Sequence, residues 1–345
     1  MKRVFVLGAG FSRAISDAMP MLKELANQVM ESDPVRAVGI TNGPELYGGN
    51  VERWLSALAD PGPWRSRAEA LRDRSDFAAV AEGIAEVVSK AEAKAAAEDC
   101  PPWLATLVRY WNKHQSTVIT FNYDQLVELA YATVYKDDER GRGDARDLHL
   151  IALTPADARV GSAPGAWPSA AFGLLKLHGS LSWWYSGLDG HPGEPIYFTR
   201  WSGAFKSGMH DVLAADIGDL TADMVPVIIP PVATKTPYYT SHLLTAQWRK
   251  AAKAISELGE HDELVLMGYS LPPTDLTVGD LISSSLPVHP IAIVPVNLWN
   301  PALAPAKDQA LIVRNLRGLL PRRADVITTY LGTDPIPGWV ADHAS

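Results

Sequence analysis

Directly beyond two apolar runs, the sequence carries an imidazole, an amide and a carboxylate. His178 follows the run Phe172 to Leu177, and Asn122 and Asp124 follow the run Thr117 to Phe121. Ligands of open α/β sheets bind in the crevice outside the carboxyl ends of the strands. Imidazole exchanges protons near neutral pH, and amide and carboxylate oxygens stabilise developing positive charge. We therefore predict that these side chains are catalytic, with His178 as the base.

A third apolar run, Arg3 to Leu7, is followed by Gly8-Ala9-Gly10-Phe11-Ser12. Glycines permit a tight turn and close approach to a ligand, and Ser12 is predicted to cap a helix that continues to Met30. Free N–H groups at such a helix start bind phosphate. The third glycine of a dinucleotide fingerprint is replaced by Arg13, so this stretch alone is equally compatible with a simple strand-to-helix turn.

Each of the candidate catalytic residues also has a purely structural interpretation. His178 is compatible with a packed structural histidine, Asn122 with a residue that holds a turn, and Asp124 with a helix N-cap. Three independent structural causes would have to coincide at strand ends beside a glycine turn. Their coincidence favours a catalytic site.

Alternation of buried strands and helices predicts an α/β fold with a Rossmann-like, doubly wound and mainly parallel sheet. The predicted core strands are Arg3–Leu7, Thr117–Phe121, Phe172–Leu177, Val225–Ile229, Glu263–Met267 and Pro290–Val296. We expect residues 1–345 to form a single domain, with a helical insertion at residues 32–102 and a loop or lid at residues 136–170.

Composition limits the partners. The net charge of −8 and pI of about 5.6 give no reason to expect direct nucleic-acid binding. The single cysteine, Cys100, excludes an intrachain disulfide and a cysteine-based zinc site, and no His-Glu-x-x-His motif is present. No apolar run is long enough for a signal peptide or a membrane span. We expect a cytoplasmic protein without a membrane or metal requirement.

Four motifs, taken together and in order, resemble the sirtuin family, whose members cleave the nicotinamide–ribose bond of NAD. They are Gly8-Ala9-Gly10-Phe11-Ser12, Thr120-Phe121-Asn122-Tyr123-Asp124, Leu177-His178-Gly179 and Gly268-Tyr269-Ser270. The motifs Lys-Leu-His-Gly-Ser and Gly-Tyr-Ser-Leu-Pro-Pro-Thr-Asp are most similar to those of bacterial sirtuin-like proteins of antiphage defence. The resemblance extends from about Arg3 to Asn297.

The resemblance implies that NAD is the substrate and assigns roles to the matching residues. Asn122 and Asp124 lie beside the nicotinamide ribose, and His178 is the catalytic base. The residues implied to bind the rest of the dinucleotide are Gly8, Ala9, Gly10, Phe11 and Ser12 at the diphosphate turn, and Gly268, Ser270 and Asn297 around the adenosine half.

Sirtuin deacylases usually carry a four-cysteine zinc module after the histidine, which a chain with one cysteine lacks. This departure favours a zinc-free NAD glycohydrolase that releases nicotinamide and ADP-ribose, acting as an antiphage defence effector. The alternatives are an NAD-dependent protein deacylase or ADP-ribosyltransferase, and a non-catalytic subunit that binds NAD or ADP-ribose. The expected restraint on activity is a homo-oligomer formed through Arg65 to Asp99, a lid such as Lys136 to Asp147, or a defence-system partner protein.

Overall fold

The computed structural model describes residues 1–40, 43–137, 148–149, 171–186, 197–198, 204–206, 224–233, 235–272, 275–298, 313–318, 320 and 324–344. Apart from residues 136–137 and 148–149, the predicted loop or lid at 136–170 lies outside the described residues.

The strands of the described residues belong to two sheets. In chain order they are β1 (Arg3–Leu7), β2 (Thr117–Thr120), β3 (Gly173–Lys176), β4 (Gly179–Ser186), β5 (Tyr197–Phe198), β6 (Met224–Ile228), β7 (Glu263–Met267), β8 (Ile291–Leu298), β9 (Ala324–Val326) and β10 (Leu331–Gly332).

The central sheet has seven strands in the order β3-β2-β1-β7-β8, with β9 and β10 both beside β8. All of its described pairings are parallel. The chain winds outward from β1 to β3 and then from β7 to β8 in the other direction, so the order reverses between β1 and β7. This reversal is a topological switch point, where open α/β folds bind ligands. The predicted α/β, Rossmann-like fold is confirmed.

Helices cover both faces of the sheet. They are α1 (Ala9–Ile15), α2 (Leu22–Met30), α3 (Asp33–Val38), α4 (Val51–Ala59), α5 (Arg67–Ala96), α6 (Pro102–His114), α7 (Leu126–Tyr135), α8 (His242–Ser256), α9 (Leu276–Ser285) and α10 (Pro335–His343). No described helix combines the length and apolarity needed to cross a bilayer.

Alternate residues of each strand belong to different cores, because successive side chains of a strand point to opposite faces. Phe5 and Leu7 of β1 pack with α1, α2 and α4 to α7. Val4 and Val6 pack with α8 and α9 on the other face. Both faces of β1 are therefore buried, which explains its uninterrupted apolar sequence.

The single helix predicted from Ser12 to Met30 is wrong. Helix α1 ends at Ile15, where the next residue, Ser16, is extended, and α2 starts only at Leu22. Pro20 lies in the break, and proline disfavours helical backbone in the residue before it. The N-cap of α1 is Gly8, so Ser12 lies inside the helix and is buried.

The run Val225 to Ile229 is not a strand of the central sheet, contrary to the prediction. Strand β6 pairs antiparallel with β4, which also pairs with β5, in a separate three-stranded sheet. Gly179, at φ +82°, turns the chain from β3 into this second sheet, and a Cβ there would lie 2.0 Å from the Val227 carbonyl oxygen.

Residues 32–102 contain α3, α4 and α5. Helix α5 starts with a capping box formed by Ser66 and Glu69 and runs for 30 residues. Its buried stripe, which includes Val80, Ile84 and Val88, packs with α2, α3 and α4. The segment is a helical layer over one face of the sheet, and it brings Glu52 and Val88 to the switch point.

We predict that Gly268→Ala destabilises the fold severely. Gly268 has φ +63°, and its added Cβ would lie 2.0 Å from the Phe11 backbone nitrogen. Because Phe11 N is a backbone atom, it cannot move aside as the end of a flexible side chain could. We expect a loss of about 3 kcal/mol or more in unfolding free energy. Urea unfolding followed by circular dichroism measures it.

Gly338→Ala is the matched control. A Cβ at this position in α10 meets nothing within 4 Å, so the variant should be unchanged or slightly more stable. Equal stability of Gly268→Ala and the wild type would show that the backbones of Gly268 and Phe11 do not approach each other as closely as described.

Candidate active site

A cleft of about 220 Å³ opens at the carboxyl ends of β1, β2, β3 and β7. Nine of the eleven predicted site residues line it: Gly8, Ala9, Gly10, Ser12, Asn122, Asp124, His178, Gly268 and Ser270. The other two do not. Phe11 is buried in the core beneath the turn, and Asn297 is buried behind the β7 turn, where its Nδ2 donates to the Tyr269 carbonyl oxygen at 2.9 Å.

The β1–α1 turn is closed against the turn after β7. Gly8 N–H donates to the Met267 carbonyl oxygen at 3.1 Å, and Gly10 N–H donates to the Gly268 carbonyl oxygen at 3.0 Å. Phe11 N–H donates to the Gly8 carbonyl oxygen. Of the first three N–H groups of α1, only that of Ala9 has no acceptor within the described parts of the chain. Hydrogen bonding to an anion from this turn therefore depends chiefly on Ala9.

Ser12, Asn122 and Asp124 form one hydrogen-bonded cluster. Ser12 Oγ donates to Asp124 Oδ2 at 2.6 Å and accepts from Asn122 Nδ2 at 2.8 Å. Asn122 Nδ2 also donates to the Gly8 carbonyl oxygen at 2.9 Å. The amide group of Asn122 thus joins the β1 and β2 turns. Its Oδ1 receives no hydrogen bond from any residue the structure describes, which leaves this oxygen available to the cleft.

Both oxygens of Asp124 are engaged, because Oδ1 also accepts from the Leu126 N–H at the start of α7, at 3.2 Å. The carboxylate therefore orders Ser12 and the first turn of α7. This geometry gives Asp124 a positioning role, whereas the sequence alone allowed it to face the substrate.

A buried lysine, Lys176, donates hydrogen bonds next to this cluster. Lys176 is fully buried, and its Nζ donates to Glu128 Oε1 at 2.9 Å and to the Asp124 carbonyl oxygen at 2.6 Å. Glu92 is also buried beside Asp124, and burial together with that carboxylate raises the pKa of Glu92. Lys176 therefore fixes the backbone of the β2 turn from which Asn122 projects.

His178 lies where the chain leaves the parallel sheet for the antiparallel one. Its carbonyl oxygen accepts from the Ile229 N–H at 2.9 Å, and the preceding carbonyl, of Leu177, accepts from Trp248 Nε1 at 3.1 Å. The ring centroids of His178 and Phe121 are 4.9 Å apart. The backbone around His178 is therefore held by these two hydrogen bonds, and its ring packs against the ring of Phe121.

Only 6% of His178 is exposed, and its Nε2 is buried without a partner among the described residues. Burial and, secondarily, the charge of Lys235 lower the pKa of His178 to about 3, although Asp275 acts in the opposite direction. The imidazole is consequently neutral at physiological pH. It is an acceptor or donor of hydrogen bonds and a much weaker base than its ordinary pKa suggests.

Lys235, Tyr269 and Asp275 form a buried polar group beside His178. Lys235 Nζ donates to Asp275 Oδ1, and Tyr269 Oη donates to Asp275 Oδ2, both at 2.8 Å. Burial acts to raise the pKa of Asp275, but Lys235, His178 and Tyr269 together lower it. Asp275 is therefore an ionised carboxylate with both oxygens occupied.

Glu52 enters the cleft from α4 in the helical insertion and is half-buried. Burial, followed by repulsion from Asp275, raises the pKa of Glu52 to about 7, with Lys235 opposing. No described residue donates a hydrogen bond to its carboxyl group. Glu52 therefore changes charge near neutral pH inside the cleft.

The loop after β7 has an unusual backbone. Leu271, at φ +48°, is fully buried in the left-handed conformation, two residues after Tyr269. Side chains of this size rarely adopt that conformation, and such outliers concentrate at binding and catalytic sites. The exposed Ser270, which lines the cleft, is held between this residue and Gly268.

Sequence reasoning missed Glu52, Lys235, Tyr269 and Asp275 as site residues. Tyr269 and Asp275 belong to the motif that already drew attention to Gly268, so the motif was a usable signal. Nothing around Glu52 distinguishes it from an ordinary first-turn glutamate of an amphipathic helix. The described residues include no group of three histidine, cysteine, aspartate or glutamate side chains that could hold a metal ion.

Comparison with known proteins gives no assignment, since no family model and no curated protein matches the chain. The fold class and the cleft define the protein as a Rossmann-like α/β protein with a cleft at its switch point.

We predict that Lys176→Met costs about 3–5 kcal/mol of unfolding free energy, because it leaves Glu128 buried without its partner. The double variant Lys176→Met/Glu128→Leu should recover a large part of that loss, since it removes the uncompensated charge. Denaturant unfolding of the single and double variants measures the loss of unfolding free energy and its recovery. A double variant no more stable than the single one would contradict this account of the ion pair.

We also predict that Glu52→Gln stabilises the protein selectively at high pH. The folded state raises the pKa of Glu52 to about 7, so folding favours its protonated form. The stabilisation from this group is complete below the ordinary carboxyl pKa and is lost as pH rises to the folded value. The melting temperature of Glu52→Gln relative to wild type should therefore be higher at about pH 8.5 than at about pH 5.

The exposed Glu45 provides the control for this measurement, and Glu45→Gln should show no such pH-dependent difference. A constant difference between Glu52→Gln and wild type across the pH range would show that Glu52 titrates normally.

Proposed function

We propose that the protein is an NAD glycohydrolase of sirtuin-like type, which cleaves NAD to nicotinamide and ADP-ribose. The observation that carries the proposal is that two residues line one cleft at the switch point: His178, whose Nε2 is buried without a partner among the described residues, and Asn122, whose amide oxygen receives no hydrogen bond from them. Buried polar atoms in native proteins usually have partners, so an orphaned Nε2 at a ligand cleft favours a group supplied by the substrate.

The proposed reaction breaks the bond between nicotinamide and ribose, and positive charge develops on the sugar. The Asn122 amide oxygen is placed by its bonds to Ser12 and Gly8 and would stabilise that charge. The neutral His178 would accept a hydrogen bond from a ribose hydroxyl and so orient the sugar. The Ala9 N–H, with α1 behind it, would contact the diphosphate.

In this proposal Asp124 and Ser12 position the catalytic amide, and Gly268 allows the dinucleotide-binding turn to form. Ser270 lies on the cleft wall near Gly268 and would contact the adenosine half, while Asn297 would act from behind by holding the Tyr269 carbonyl. The ordered motifs supply the further proposal of an antiphage defence effector in the cytoplasm, restrained by a homo-oligomer or a partner protein.

The test is incubation of the purified protein with NAD, followed by chromatographic measurement of nicotinamide and ADP-ribose. We expect release of both, and we expect His178→Ala and Asn122→Ala to lower kcat by about 100-fold or more. Asn122→Ala should also lose about 1–2 kcal/mol of stability, because Ser12 and Gly8 lose a donor. The exposed His261 supplies the control, and His261→Ala should retain full turnover.

Other results assign other functions. Full turnover by a folded His178→Ala variant would remove the role given to that residue. Product that requires an acyl-lysine peptide would identify a deacylase, and transfer of ADP-ribose to protein would identify an ADP-ribosyltransferase. Tight NAD binding without nicotinamide release would identify a non-catalytic subunit.

A further inference from the structure

Hydrolysis of NAD requires the protein to dispose of one proton, and the cleft contains few groups that can take it. The glycosidic electron pair leaves with nicotinamide, which departs uncharged, so the leaving group needs no proton. Water forms the new bond to the sugar carbon and must lose a proton to a base. The identity of that base is a separate question from the identity of the reaction.

His178 is poorly suited to this task. Its environment keeps the imidazole neutral and lowers its pKa far below physiological pH, so it holds a proton only weakly. General bases work best when their pKa lies near the working pH. The structure thus leaves His178 as a hydrogen-bonding residue that orients the sugar.

Three acidic residues of the described chain line the cleft, namely Glu52, Asp124 and Asp275. Both oxygens of Asp124 accept hydrogen bonds from Ser12 and Leu126. Both oxygens of Asp275 accept hydrogen bonds, from Lys235 and Tyr269. The carboxyl of Glu52 alone among these three has no donor within the described chain.

Glu52 also comes from a different part of the chain than the other two. It lies on α4 of the helical insertion, whereas Asp124 and Asp275 follow strands of the central sheet. In the cleft its carboxyl group is close enough to Asp275 and Lys235 to interact electrostatically with both.

We propose that Glu52 is the proton acceptor of the reaction and takes the proton of the attacking water. The inference rests on the proposed glycohydrolase function. In the step, the glycosidic carbon–nitrogen bond breaks, a carbon–oxygen bond to water forms, and the released proton moves to the Glu52 carboxylate and afterwards to solvent.

The environment of Glu52 supports this role. Burial and then Asp275 raise its pKa, and Lys235 lowers it. Among the described residues, the hydroxyl groups of Tyr123 and Tyr269 also interact with it. Both tyrosines stay uncharged at physiological pH, since burial raises the pKa of each. With its pKa raised to about 7, Glu52 can both take up and release a proton near neutral pH.

The test compares wild type, Glu52→Gln and Glu45→Gln in NAD hydrolysis between about pH 5 and pH 9. Wild-type kcat should rise with pH up to about 7 and then level off. Glu52→Gln should lower kcat by about 10²- to 10⁴-fold and abolish this rise. Glu45→Gln should behave as wild type. ADP-ribose affinity, measured by calorimetry, should change by less than about threefold in Glu52→Gln, which shows an intact cleft.

Two outcomes overturn the inference and are distinguishable. If wild type releases nicotinamide and Glu52→Gln keeps both kcat and the pH profile, with or without a higher KM, Glu52 is not the proton acceptor and the glycohydrolase function stands. If wild type releases no nicotinamide, the proposed function fails, and the role of Glu52 fails with it.

Discussion

The contact between the β1–α1 turn and the turn after β7 is the constraint on which the rest of the site depends. Gly10 donates to the Gly268 carbonyl, and Gly268 leaves no room for a side chain against the Phe11 backbone. Because β1 and β7 are neighbours at the point where strand order reverses, this contact forms the floor of the cleft. The tightness that closes the floor also occupies N–H groups that a looser turn would offer to phosphate.

Around this floor, burial decides the protonation of each ionisable group. His178 is desolvated, and Asp275 does not offset the effects of burial and Lys235, so the uncharged imidazole is favoured. Asp275 is also desolvated, but two donors outweigh the cost and its pKa falls. Glu52 is partly buried beside a negative charge and has no hydrogen-bond donor among the described residues, so its pKa rises. Three groups in one cleft therefore have three different electrostatic states.

Both sheets and the helical insertion contribute to the cleft. The parallel sheet supplies the turns that hold Asn122 and Gly268, and the passage into the antiparallel sheet fixes the backbone of His178 through Ile229. The insertion contributes Glu52 and Val88 to the lining of the cleft. A segment that looks in sequence like a solvated helical addition thus contributes to the site.

The sequence by itself determined the class of architecture and nine of the residues that line the cleft. Short β-branched runs ended by glycine or polar residues specify buried parallel strands, and the edge at which such strands end brings His178, Asn122 and the glycines together. These are local signals, readable without knowing the neighbours.

Only the tertiary structure decided what each group does. It assigned β6 to a second sheet, divided the first predicted helix and engaged both oxygens of Asp124, while no residue in the described part of the chain donates to the carboxyl of Glu52. Hydrogen-bond partners and desolvation depend on residues far apart in sequence, such as Lys235 with Asp275 or Ser12 with Asp124. A local pattern carries no information about such distant pairings, and for that reason the protonation states of the cleft could not be inferred before the fold was known.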